Sequence, residues 1–122
     1  MAAAAVPLRI DIVSDVVCPW CIIGLKQVEQ ALTLVDQDIA AETHWHPFQL
    51  NPHMPPEGED TAEHIARKYG STPEQSHANR QRLSDIGDSV GFAFNYGEGM
   101  RIYNTFNAHK LLTIFGSERG WR

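Results

Sequence analysis

The sequence predicts an α/β chain in which a strand, a helix and a second strand are followed by a run of helices. Three observations support this prediction. Apolar residues alternate with other residues near the N-terminus, a proline then opens a segment with helical apolar spacing, and strand-forming residues return at Glu42–His46. Beyond that strand the sequence carries repeated signals for the starts and ends of helices. We therefore expect a βαβ unit over residues 6–52 and a helical region over residues 53–122.

The first strand and the first helix are predicted from two different periodicities. Leu8, Ile10 and Ile12 alternate with other residues, which is the pattern of a β-strand over Leu8–Val13. Pro19 suits the first position of a helix because the N–H that proline lacks has no partner there. Apolar residues then recur at helical spacing, so we expect one face of this helix to be buried as far as about residue 35. The residues expected on that face are Cys21, Ile22, Leu25, Val28, Leu32 and Val35.

A second strand is predicted at Thr43–Trp45, inside a segment of strand-forming residues that Pro47 closes. The order strand, helix, strand favours a right-handed crossover between two parallel strands. Such a connection places the ends of both strands at the same edge of the sheet.

The helical region is predicted from three N-cap residues, Asp60, Thr72 and Asn104. The second start is the strongest, because Thr72 is followed by Pro73 and by Gln75, which can complete a capping box. We expect glycines to end these helices, namely Gly70, Gly91 and Gly116. The segment Phe92–Tyr96 is left without an assignment.

Composition excludes several classes of protein. With 122 residues, 43% hydrophobic and 20% charged, the chain suits one soluble domain rather than a disordered segment. The net charge of −5 disfavours nucleic acid as a partner. No window approaches the roughly 20 apolar residues of a membrane span. Because Met1–Arg9 also lacks the basic and apolar parts of a secretory signal, we expect a cytoplasmic protein with no membrane partner.

The candidate chemistry lies in Cys18-Pro19-Trp20-Cys21, at the junction between the first strand and the first helix. The first sulfur is expected beside the free N–H groups of the first helical turn, which should lower the pKa of Cys18. This predicts Cys18 as the nucleophile and Cys21 as the resolving thiol. Pro19 fixes the turn, and Trp20 offers an apolar face to a substrate or shields the pair. Asp15 either tunes the dithiol or is a solvated residue at the end of a strand.

Two other interpretations of the cysteine pair are open. It could be half of a zinc site, with the remaining ligands among His44, His46 and His53. It could also be inert and buried. No second C-x-x-C follows, and two histidines on one strand face are more often solvated, so we expect no metal site.

Several short motifs carry a resemblance to a known family. They are Ser14-Asp15, Cys18-Pro19-Trp20-Cys21, Ile23-Gly24, the segment Trp45–Pro52, Asn104-Thr105 and Ala108-His109. In this combination the sequence resembles the DsbA-type thioredoxin-like oxidoreductases, and within them the cytoplasmic branch called FrnE-like. The resemblance implies a thioredoxin-like fold with an inserted all-helical subdomain. It also implies exchange of disulfides with protein or small-molecule thiols through Cys18 and Cys21. No cofactor is expected beyond this pair, with glutathione or a thioredoxin-type protein as a possible reductant.

The sequence also departs from that family. Members continue past the Asn104–His109 motif into a strand pair, a closing helix and a cis-proline that faces the dithiol, whereas this sequence ends at Arg122. We therefore expect a member that lacks the second half of the fold, with exposed strand edges that promote self-association. Two alternative functions remain. One is a glutathione-dependent transferase or isomerase, like the kappa-class glutathione transferases and hydroxychromene-carboxylate isomerases, which generally carry serine where Cys18 stands. The other is a non-catalytic remnant.

Overall fold

The structure, a computed structural model, describes residues 4–119. As the sequence predicts, a strand–helix–strand unit is followed by helices. No helix within residues 4–119 combines the length and the apolar character that crossing a membrane requires. The elements are β1 (Val6–Ser14), α1 (Pro19–Leu34), β2 (Ile39–Pro47), β3 (Glu59–Asp60), α2 (Thr61–Tyr69), α3 (Pro73–Ser89), β4 (Arg101–Ile102) and α4 (Phe106–Arg119).

The strands β1 and β2 pair in parallel, and both are longer than their sequence patterns predict. Their register runs from Val6 opposite Ile39 to Ser14 opposite Pro47. The pairing continues one step further, because the Phe48 backbone N–H donates to the Ser14 carbonyl oxygen at 3.0 Å. The carboxyl ends of both strands therefore lie at one edge of the sheet, where the chain also enters α1.

Helix α1 has the predicted start and end, but its buried face differs from the expected one. Pro19 lies in its first turn, and the helix ends at Leu34. The six residues expected on the buried face are all only half-buried, whereas Ile23 is 2% exposed. The sheet formed by β1 and β2 has two strands, and α3 contacts α1.

The starts of α2 and α3 confirm the predicted caps. The Asp60 side chain accepts from the Glu63 backbone N–H at 3.0 Å, and Gly70 ends α2 in the left-handed conformation with φ +67°. Thr72 accepts from the Gln75 N–H at 3.2 Å, while the Gln75 side chain accepts from the Thr72 N–H at 2.9 Å. This reciprocal capping box fixes the start of α3 by local hydrogen bonds alone.

Helix α4 begins as predicted and ends later than predicted. Asn104 Oδ1 accepts from the Phe106 N–H at 2.9 Å, and Asn104 Nδ2 donates to the carbonyl oxygens of Pro52 and Met54. The prediction that Gly116 ends the helix is wrong, since the helix continues to Arg119. A single glycine costs a helix only about 1 kcal/mol relative to alanine, so it does not stop a helix by itself.

The helical region also contains a short antiparallel ladder that the sequence does not predict. Glu59 pairs with Ile102 and Asp60 with Arg101, which ties the start of α2 to the chain that precedes α4. The unassigned segment 92–96 has no regular structure. Its aromatic rings pack in series, with centroids 4.9 Å apart between Phe92 and Phe94 and 5.7 Å apart between Phe94 and Tyr96.

Candidate active site

The cysteine pair lies at the predicted junction between β1 and α1. Cys18 is the N-cap of α1 in an extended conformation, and its backbone N–H donates to the Asp15 carbonyl oxygen at 3.2 Å. The Cys21 N–H donates to the Cys18 carbonyl oxygen at 3.2 Å. Both cysteines are free and half-buried. The two cysteines therefore lie within one turn of each other at the start of α1, near the end of β1.

Burial and the neighbouring Cys21 thiol change the expected acidity of Cys18. The backbone N–H groups of Trp20 and Cys21 favour the Cys18 thiolate, as the helix start predicts. Burial acts against them, and together with the neighbouring Cys21 thiol it raises the pKa of Cys18 above its ordinary value. The prediction of a lowered pKa at Cys18 is therefore wrong. The sequence shows the helix start but not how much of the sulfur is buried.

Cys21 has the opposite shift. Burial by itself raises the pKa of this thiol, and the nearby Asp15 carboxylate adds to that effect. The polar groups around the Cys21 sulfur, which are the Ser14 side chain, the Asp15 backbone and Cys18, outweigh both and lower the pKa of Cys21.

Asp15 is buried next to the start of α1, and its carboxylate contacts two other parts of the chain. It is 2% exposed, so it is not the solvated residue that the sequence left possible. Its Oδ2 accepts from the Leu50 backbone N–H at 2.8 Å, and its Oδ1 lies 3.0 Å from His109 Nε2. Asp15 therefore contacts the start of α1 through its backbone, and the segment after β2 and helix α4 through its carboxylate. The sequence does not predict this partner of His109, since the two residues are far apart along the chain.

The helical region contributes to the surroundings of the dithiol. The ring of Trp20 is half exposed, and the Arg82 guanidinium of α3 lies 5.7 Å from its centroid. Tyr96 is close enough to Cys18 to interact electrostatically. Burial raises the pKa of the Tyr96 phenol, Arg80 lowers it, and Cys18 raises it further.

A groove runs between α4 and the segment that follows β2. Its volume is about 400 Å³, and its walls are mostly apolar. Residues from both sides line it, including Pro47, Phe48, Phe106 and Ile114. His109 also lines the groove, and its ring contacts the Asp15 carboxylate.

Both histidines of β2 lie beside carboxylates. His46 Nε2 is 2.7 Å from Asp11 Oδ1 in a hydrogen bond, whereas His44 Nε2 is 2.9 Å from Glu42 Oε1 without hydrogen-bond geometry. Within residues 4–119, no group of three or more His, Cys, Asp or Glu side chains is arranged to hold a metal ion. The zinc interpretation of the cysteine pair gains no support from this part of the chain.

The fold and the site together define a thioredoxin-like domain with two cysteines at the start of its first helix. The sequence model of the DSBA-like thioredoxin domain matches residues 9–120, and the chain belongs to this family. A crystal structure of a probable DsbA oxidoreductase from Streptomyces coelicolor is similar, with a TM-score of 0.82 and 29% sequence identity. The match covers 92% of this chain and 47% of that one, so this chain spans about half the length of the solved protein. No curated protein matches the sequence.

Proposed function

We propose that the chain is a thiol–disulfide oxidoreductase that exchanges disulfides through Cys18 and Cys21. One observation carries this proposal. Two free, half-buried cysteines lie one helical turn apart at the N-terminus of α1. This spacing suits closure of a disulfide between them without a large movement of the backbone. The family, and the similar Streptomyces protein described as a probable DsbA oxidoreductase, support the same class of reaction.

The proposed exchange has two steps. In the first, the Cys18 thiolate attacks a substrate disulfide, so that a Cys18–substrate disulfide forms and one substrate thiolate leaves and takes a proton from solvent. In the second, Cys21 gives its proton to solvent and attacks the Cys18 sulfur. The Cys18–Cys21 bond forms, the second substrate thiolate leaves, and two electrons have passed from the protein to the substrate. The reverse sequence oxidises a substrate dithiol.

The assignment of the two roles is supported by the surroundings of each sulfur. Cys18 is the N-cap residue, next to the half-exposed ring of Trp20 where a substrate can approach, and the first-turn N–H groups favour its thiolate even though burial raises its pKa overall. Cys21 lies one turn further along the helix, where its polar surroundings lower its pKa. A resolving thiol needs this second property, since it must ionise while its neighbour is bound in a mixed disulfide.

The groove between α4 and the segment after β2 suits an extended apolar stretch of a substrate polypeptide. We place the activity with the dithiol–disulfide isomerase type of the FrnE-like branch, on the motifs quoted above. The reaction needs no cofactor besides the cysteine pair. Glutathione or a thioredoxin-type protein would supply the electrons that restore the dithiol.

The test is reduction of insulin by dithiothreitol with catalytic amounts of the full chain. We expect the wild type to accelerate the reaction, Cys18→Ser to abolish the acceleration, and Cys21→Ser to accumulate a mixed disulfide that mass spectrometry detects without reductant. A wild type that adds nothing to the rate of dithiothreitol alone would refute the proposal. Glutathione transfer that survives Cys21→Ser would instead indicate the transferase alternative.

A further inference from the structure

His109 has one ring nitrogen engaged inside the protein and the other without a partner. Its Nε2 lies 3.0 Å from Asp15 Oδ1, and both residues are at most 5% exposed. The other oxygen of Asp15 accepts from the Leu50 N–H, and an ionised carboxylate only accepts, so Nε2 carries the ring proton and donates it. No group among residues 4–115 forms a hydrogen bond with Nδ1. In the neutral ring Nδ1 is therefore a free acceptor.

The same ring lines the groove between α4 and the segment after β2. The walls of this groove are mostly apolar, with Phe48 on one side and Phe106 and Ile114 on the other. Nδ1 is not one of the buried side-chain atoms that are closed to solvent and lack a partner. Because the ring borders the groove, a ligand in the groove can reach this nitrogen. Apolar walls with a few placed polar groups are the usual composition of a binding site.

Lys110 adds a positive charge to the groove. It is one of the lining residues, and its Nζ lies 5.2 Å from the centroid of the Phe106 ring. No carboxylate among the side chains of residues 4–115 pairs with it, whereas the two other lysines, Lys26 and Lys68, each have an oxygen partner. A ligand with apolar side chains and one carboxylate complements this arrangement.

The groove is joined to the dithiol through Asp15. The Asp15 carbonyl oxygen accepts from the Cys18 N–H at 3.2 Å, while its carboxylate contacts His109 and Leu50. A single residue thus connects the wall of the groove to the backbone of the proposed nucleophile. This continuity favours one occupant, a segment of the polypeptide whose disulfide reacts at Cys18.

We propose that the groove binds an extended segment of the substrate polypeptide with apolar side chains and one acidic side chain, that a backbone N–H of this segment donates to His109 Nδ1, and that the carboxylate pairs with Lys110. This inference rests on the proposed function and names the substrate class of its site. Side chains of an extended segment alternate in direction, so some reach the apolar walls while the backbone lies beside the ring. The contact with Asp15 keeps the ring in the tautomer that accepts at Nδ1.

The test measures binding without exchange, on the full chain with Cys18→Ser and Cys21→Ser, here called the cysteine-free chain. The probe is the acetylated and amidated peptide Ser-Leu-Val-Glu-Val-Leu-Ser, and calorimetry gives its Kd. We expect the probe to bind, and a probe with lysine in place of the glutamate to bind about fivefold more weakly. Lys110→Glu should reverse this order of the two probes.

Two variants of His109 separate the proposed hydrogen bond from the contact with Asp15. In His109→Gln the amide N–H lies near the position of Nε2, so the contact with Asp15 is kept and the acceptor Nδ1 is lost. In His109→Asn the amide oxygen lies near the position of Nδ1, and the contact with Asp15 is lost. We expect the glutamine variant to bind the probe about fivefold more weakly with little loss of stability. The asparagine variant should be less stable but bind within about twofold of the cysteine-free chain.

A second readout changes the peptide instead of the protein. Methylation of one backbone nitrogen at a time removes one N–H from the probe. At the position that donates to Nδ1, methylation should weaken binding to the cysteine-free chain and have no such effect on its His109→Gln variant. His77→Gln, at an exposed position of α3, is the matched control and should behave like the cysteine-free chain throughout.

The proposal is overturned if the probe does not bind, if His109→Gln leaves its Kd unchanged, or if no methylated position depends on His109. If His109→Gln loses its circular dichroism spectrum, the Nδ1 ¹⁵N resonance of the cysteine-free chain decides, since an unchanged resonance on binding refutes the hydrogen bond. A dimer that Ile114→Asp disrupts would instead assign the groove to a second copy of the chain. Failure of the proposed function is distinguishable, because a wild type inactive on insulin leaves these binding measurements unaffected.

Discussion

Asp15 and His109, 94 positions apart in the sequence, are joined by a buried contact of 3.0 Å between Oδ1 and Nε2. Both residues are at most 5% exposed. Because Asp15 also holds the start of α1 through its carbonyl oxygen, this contact fastens α4 to the chain that carries the cysteines. The segment after β2 joins the same point through the Leu50 N–H.

The first prediction tests this contact. His109→Ala leaves one oxygen of a buried carboxylate without its partner, which should lower the free energy of unfolding by about 2 kcal/mol. Urea denaturation followed by circular dichroism measures the change. His77→Ala, at an exposed position of α3, is the control and should stay within about 0.5 kcal/mol of the wild type. A loss at His109 no larger than the control's would show that the contact contributes nothing.

The second prediction concerns pH. Arg67, and after it His64, lower the pKa of Glu59 from about 4.5 to about 2. A lowered pKa means that the folded state favours the carboxylate, so this stabilisation is complete above about pH 4.5 and is lost as the pH falls toward 2. Glu59→Gln should therefore lower the urea midpoint near pH 6, and the difference from the wild type should shrink below pH 4.5. Glu57→Gln, at an exposed neighbour, should show no such trend.

The third prediction compares two helical glycines. A Cβ at Gly87 would lie 2.5 Å from the Phe92 carbonyl oxygen and 2.6 Å from a ring atom of Phe94, whereas a Cβ at Gly24 meets nothing within 4 Å. The Phe92 N–H also donates to the Gly87 carbonyl oxygen, so the two chain segments cannot easily separate. Gly87→Ala should cost about 2 kcal/mol in unfolding free energy. Gly24→Ala should gain up to about 1 kcal/mol. Equal effects in denaturation would contradict the packing at residues 87–94.

The fourth prediction concerns the capping box of α3. Thr72→Ala removes the oxygen that accepts from the Gln75 N–H and should lower the unfolding free energy by about 1 kcal/mol. Thr33→Ala is the control, since its hydroxyl bonds back to the Glu29 carbonyl oxygen inside α1. Such a bond adds little, and alanine is the better helix former, so this variant should be neutral or slightly stabilising. The same ranking should appear in thermal melts.

The strand–helix–strand unit and the helix starts could be predicted because their signals are local. Each of these signals involves only a few neighbouring residues. They are the alternation along β1, Pro19 at the start of α1 and the Thr72–Gln75 capping box. The buried face of α1 could not be predicted so well. Its burial depends on the width of the sheet and on the position of α3, and neither is encoded in the spacing of apolar residues within the helix.

The cysteine pair could also be predicted, but its electrostatics could not. The position of Cys18 at a helix start follows from the adjacent proline, whereas the burial that raises its pKa depends on surrounding chain. The contact between Asp15 and His109 joins two segments that are distant in the sequence, and no local sequence pattern relates them.

The arginine that lies over the ring of Trp20 affects what an approaching molecule encounters. The chain as a whole is acidic, with a formal net charge of −5, yet the aromatic side chain between the two cysteines has a guanidinium against its ring. Trp20 is half exposed, so a molecule that approaches the sulfurs contacts an apolar ring with a positive charge beside it. We therefore expect peptides with a carboxylate beside their disulfide to be favoured over lysine-rich ones. The charge beside Trp20 is therefore opposite in sign to the net charge of the chain.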